Sequence, residues 1–157
     1  MRDETVREIR TEFLMIEQTL ERISHLLDEI GSEDPSDHQM AAMGAYLANV
    51  YSGIENILKR LCLGLGIATP HGPNWHVNLL SLFGEKAGGP IPCLIDGALL
   101  AALHPYRAFR RLFFHGYAIV LRWDRLEPSA RSVRSVFRGF RDKVESFLSG
   151  DSKGATA

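Results

Sequence analysis

The chain has 157 residues, 45% apolar and 24% charged. That length suits one domain, and the balance excludes both a disordered chain and a membrane-embedded one. The net charge is −1. It conceals a polarised chain. Residues 1–35 carry ten acidic side chains against four arginines, whereas residues 101–145 carry ten basic side chains against four acids. Such a basic block either draws in phosphate or faces the acidic first segment of its own or a partner chain. Charge counts alone do not separate the two.

The N-terminus MRDETVREIR mixes both signs of charge without an apolar stretch, so no secretory signal is expected and the cytoplasm is the expected location. From Val6 the apolar positions Val6, Ile9, Phe13, Ile16, Leu20, Ile23, Leu27 and Ile30 alternate steps of three and four, which predicts a long amphipathic helix. Gly31 and the acidic Ser32–Ser36 turn end it. The paired carboxylates Glu17 and Glu21 fall on its polar face, where solvent is expected. A second helix follows through Met40, Met43, Leu47, Val50, Ile54, Ile57, Leu61 and Leu65.

GLGIATPHGPNW breaks the pattern with glycine and proline. A short helix is predicted from Trp75 to Phe83, closed by Gly84, and another from Ile91 to about Tyr117 with a joint at His104-Pro105. The apolar stretch Ala118–Trp123 is ambiguous. After a link at Leu126-Glu127-Pro128-Ser129, a last helix is marked by Val133, Val136, Phe140, Val144 and Phe147. The expected fold is all-α: an up-down antiparallel bundle of four main helices plus a short one, over residues 1–149, with residues 150–157 as a disordered tail. Among the chemistry that can be imagined, His71 and His76 with Cys62 and Cys93 lack the closely spaced ligand pairs of a zinc site. A loop histidine, or a Trp75-His76 packing pair, is the favoured reading of His76. No phosphate-binding glycine motif is present.

The informative stretch is FRRLFFHGYAIVL, from Phe109 to Leu121, which sets Arg110, Arg111, His115 and Tyr117 in an apolar segment. On an ideal helix Arg110 and Tyr117 lie nearly in line, and Arg111 and His115 are neighbours. Arg110 and His115 are about 140° apart at roughly 100° per residue, so they share a site only if the helix distorts near Gly116 or a second protomer completes it. Phe109, Phe113 and Phe114 around these polar groups would expose a large apolar patch, which predicts a homodimer.

Arg110, four residues, His115, one residue and Tyr117 resemble the Arg-x4-His-x-Tyr motif of the HEPN superfamily, in particular its HepT-like ribonuclease toxins. AYLANVYSGIENILKRL at 45–61, NWHVNLL at 74–80, PYRAFRRLFFHGY and LRWDRL follow in the same order, so the resemblance covers about residues 38–148. It implies a metal-independent endoribonuclease that needs no cofactor and acts as a homodimer on RNA. In that reading His115 handles the protons, Arg110 neutralises the phosphorane, and Tyr117 orients phosphate or accepts AMP from an MNT-type nucleotidyltransferase antitoxin. Arg107, Arg111, Arg131, Arg134, Arg138 and Arg141 are the candidate RNA-binding residues. Arg111 stands where family members commonly carry Asn, Asp or His. A noncatalytic module that dimerises and binds a partner protein or RNA is therefore the competing reading.

Overall fold

A computed structural model describes residues 2–85, 87–115 and 121–150, the side chains of residues 113–115 excepted. Five helices follow in order: α1 (Asp3–Ile30), α2 (Asp37–Leu65), α3 (Trp75–Leu82), α4 (Gly97–His115) and α5 (Trp123–Leu148). No strand occurs among the described residues. The chain is the all-α bundle that its periodicity predicts.

Local chemistry explains the first boundaries. Gly31, at φ 60°, takes the left-handed side of the map and returns its N–H to the Leu27 carbonyl, ending α1. The Ser36 hydroxyl accepts the Gln39 N–H at 3.3 Å while Gln39 Oε1 accepts the Ser36 N–H at 2.9 Å, a reciprocal cap that starts α2. α1 buries one stripe, including Ile9, Phe13, Ile16, Leu20 and Ile23. α2 buries a broad arc that includes Met43, Leu47, Tyr51, Ile54, Glu55, Leu58 and Leu61, and it packs against each of the other four helices.

Side-chain ties give the directions of the long helices. Arg60 near the end of α2 pairs with Glu8 and Glu12 near the start of α1, so these two are antiparallel. Arg134 and Arg141 of α5 reach Glu21 and Glu17 of α1 in reversed order. α5 is likewise antiparallel to α4, because Lys143 meets Asp96 and the Tyr106 hydroxyl donates to the Ser129 carbonyl. α1 and α4 thus run one way and α2 and α5 the other. The rings of Phe13 and Phe137 close the α1–α5 seam edge to face, with centroids 6.1 Å apart.

Four expectations are corrected. Residues 91–96 are not helical: Leu94 and Ile95 both donate their N–H to the Phe83 carbonyl, and the Asp96 carboxylate accepts the Leu99 N–H at 2.8 Å. Pro90 and Pro92 bias this stretch to extended backbone, and Asp96 supplies the cap that starts α4 six residues later than the apolar pattern suggests. α5 begins at Trp123 and runs through Pro128. The proline removes a single hydrogen-bond donor near the helix start, and burial of Leu126, Ser129 and Ala130 holds that turn in place. Phe109 is 7% exposed, packed in the chain's own core, so it adds nothing to an apolar surface patch. Glu17 and Glu21 face α5 and pair with its arginines. Residues 118–120 of the ambiguous apolar stretch, and 151–157 of the tail, lie outside the described residues. Among the described residues no helix is long and apolar enough to cross a membrane.

Candidate functional site

Glu55 is the sole acidic residue between Asp37 and Glu85, and it sits on the central helix at 1% exposure. A buried carboxylate is costly unless it is paired on its hydrogen-bonding edges. Both edges are paired. Oε2 receives the Arg110 Nε at 3.0 Å from α4, and Oε1 lies 2.6 Å from His76 Nδ1 at the start of α3. The ring closes through Arg110 Nη1 and His76 Nε2, 3.1 Å apart, and Ser52 Oγ accepts from Arg110 Nε at 3.2 Å. Ser52, Glu55 and Lys59 share one face of α2 by their three- and four-residue steps.

Trp75 roofs this cluster. Its ring lies against His76 with centroids 3.4 Å apart, Lys59 Nζ is 4.0 Å from its centre, and the Arg110 guanidinium carbon is 5.4 Å away. Both cations meet the negative face of the indole. One turn before Glu55 on α2, Tyr51 is fully buried. Burial pushes its phenol well above the ordinary range, and the Glu55 charge adds to the rise, so Tyr51 stays protonated.

The cluster opens on a cavity of about 780 Å³ between the α3 segment and α4. Pro73, Asn74, His76 and Val77 form one wall, and His104, Arg107, Ala108, Arg110, Arg111 and Leu112 the other. Three guanidinium groups and two imidazoles on one concave surface give it a positive lining of the kind that attracts anions. Of the predicted residues, Arg107, Arg110 and Arg111 meet here. The row on α5 does not reach it. Arg131 pairs with Glu127 on its own helix, Arg134 with Glu17 and Glu21, and Arg141 with Glu17. Exposed Arg138 lines a separate, mixed-charge recess with Arg134, Arg141 and the acids Glu17, Asp142 and Glu145. The backbone of His115 ends α4. The His115 side chain and the whole of Tyr117 lie outside the described residues.

The family model for HepT-like proteins matches residues 42–150. This chain belongs to the HepT-like family. The matched segment holds every element of the Glu55 cluster: the Ser52–Lys59 face of α2, Trp75 and His76, and Arg110 on α4. α1 precedes the match, yet it supplies Ile9, Phe13, Ile16, Leu20 and Ile23 to the core of this HepT-like chain. No curated protein and no solved structure matches it.

Sequence reasoning passed over Glu55, Ser52 and Lys59, and read His76 only as a loop or packing residue. The packing on Trp75 is present, and the bond to Glu55 comes with it. The available signal was Glu55 itself, a lone acid in an apolar stretch of 47 consecutive positions without another, from 38 to 84.

Proposed function

We propose that this HepT-like chain is a metal-independent endoribonuclease, the toxin of a pair whose other member is an MNT-type nucleotidyltransferase. The single observation that carries the reading is Arg110: a motif arginine oriented by a buried carboxylate at the edge of a cation-lined cavity. A planar guanidinium so held offers paired donors to the oxygens of a phosphodiester, where negative charge grows in the transition state. In this mechanism the ribose 2′-oxygen attacks phosphorus and the 5′-oxygen leaves, giving a 2′,3′-cyclic phosphate. His115 takes the 2′-hydroxyl proton or returns one to the 5′-oxygen. Arg107 and Arg111 hold the flanking phosphates. Tyr117 is the site that the antitoxin modifies with AMP, which would set charge and bulk where RNA must enter.

A homodimer completes the proposed site. Val77 and Leu112, 45% and 37% exposed, line the cavity, and Leu100, 46% exposed, lines a recess that shares Val77, His104 and Arg107 with it, apolar surface that a second copy would cover. The noncatalytic reading keeps one specific support, since Arg110 is engaged with Glu55, Ser52 and His76 within its own chain and serves packing as it stands. Incubation of purified protein with total RNA in EDTA decides between the two. Cleavage by the wild type that falls about 10²–10⁴-fold in His115→Ala, with circular dichroism unchanged, establishes the enzyme. RNA that is retained but never cut establishes the binding module.

A further inference from the structure

We infer that His76 is a further member of the site: a positioning residue that carries its proton on Nδ1 and holds the Arg110 guanidinium through the lone pair on Nε2. Its two polar neighbours each dictate half of this. The Glu55 carboxylate has only acceptor oxygens, so the nitrogen 2.6 Å from Oε1 is the one bearing hydrogen. The guanidinium has only donors, so the nitrogen 3.1 Å from Arg110 Nη1 is the one with a free lone pair. The opposite tautomer would set lone pair against lone pair at the first contact and N–H against N–H at the second. An imidazolium would satisfy Glu55 and still oppose its Nε2–H to the Arg110 N–H.

The ring plane is fixed as well, because Trp75 covers the imidazole with centroids 3.4 Å apart and an interplanar angle of 35°. Ties on the Arg110 guanidinium then include Glu55 and Ser52 at Nε and His76 at Nη1. The contact at Nη1 opposes rotation about those at Nε and helps to aim the group at the cavity before any phosphate arrives, the condition for electrostatic preorganisation. His76 touches the cavity wall but acts through Arg110. The effect on turnover rests on the ribonuclease reading above, whereas the tautomer and the tie do not.

The test has two arms. In a proton–nitrogen correlation spectrum of the full chain at neutral pH, His76 should show the Nδ1–H tautomer, and the Arg110 Nε–H should give a resolved, slowly exchanging signal that His76→Leu broadens and His76→Gln partly restores. Glutamine places an amide oxygen where Nε2 accepts. An Nε2–H tautomer, an imidazolium, or an Arg110 signal unchanged in His76→Leu overturns the inference, whether or not the protein cuts RNA. In the activity arm His76→Leu should lower kcat by about 10²-fold with KM little changed, and His76→Gln should recover part of the loss. Wild-type activity in His76→Leu overturns the positioning role. A wild type without cleavage refutes the ribonuclease reading and leaves the spectroscopic arm to decide the tautomer.

Discussion

Glu55 is the residue on which the site turns, because it holds Arg110 and His76 with separate oxygens from within the core. Its removal strands a guanidinium and an imidazole that are only 18% and 24% exposed at the side chain. Breaking such a buried pair from one side costs about 3–5 kcal/mol. Glu55→Ala should therefore lose that much stability in urea unfolding, with the slope of the transition unchanged. Glu55→Gln, which keeps the shape and one acceptor, should lose less. A loss below about 1 kcal/mol for Glu55→Ala, the range of exposed pairs, would mark the pair as solvated.

Two contacts between elements make measurable demands. α1 and α2 approach so closely that a Cβ at Gly53 would lie 2.6 and 2.7 Å from Ile16 Cγ1 and Cδ1. Alanine gains about 1 kcal/mol of helix propensity over glycine, but overpacking costs about 1–3 kcal/mol. Gly53→Ala should destabilise the wild type by about 1 kcal/mol and should stabilise an Ile16→Ala background, where the clash is gone. A double-mutant cycle by chemical denaturation reads the sign of the coupling. At the other seam Asp96 caps α4 and meets Lys143 of α5. The hydrogen bond from Lys143, followed by that from the Leu99 N–H, holds its carboxyl below the ordinary carboxylate range. A depressed folded-state value means that this contribution is complete above the ordinary range and is lost as pH falls through the folded value. Thermal melts should show wild type ahead of Asp96→Ala by about 1 kcal/mol at neutral pH, the size of an N-cap, with the gap closing in acid.

Over the whole molecule the acidic first helix and the basic last helix meet each other. Arg134 and Arg141 are each 39% exposed at the side chain, and their ties to Glu17 and Glu21 belong to the class worth about 0–1 kcal/mol apiece. The charge polarity of the chain is thus partly spent inside the bundle, and the cavity lined by Arg107, Arg110 and Arg111 keeps the concentrated positive surface. If RNA binds there, removing one cation that neutralises a phosphate reduces the salt dependence of affinity by about one unit of slope. Arg111→Ala should show that reduction, while Arg134→Ala should leave the slope unchanged. Equal effects from both would place RNA across α5 as well.

Elements whose causes are local can be read from the residues alone. The three-and-four spacing of α1, the stop at Gly31 and the start of α2 after Ser36 each depend on groups within a few residues, and all are legible in one pass. The candidate arginine and the family pattern were legible too, since a spaced motif survives without knowledge of packing. The starts of α4 and α5 were not, because the hydrogen bonds from Leu94 and Ile95 to the Phe83 carbonyl add a tertiary hold to the bias of Pro90 and Pro92 before α4, and Pro128 is carried by the burial of its turn. Which polar groups face one another depends on the packed fold. Ser52 and Arg110 are 58 positions apart and Arg134 and Glu21 are 113 apart, and their meeting depends on how each helix is rotated about its axis. That rotation is set by the apolar stripes packing against α2, a sum over the whole core. The same packing that buries Ile54 and Ile57 carries Glu55 inward between them, where a carboxylate requires the partners that α3 and α4 bring.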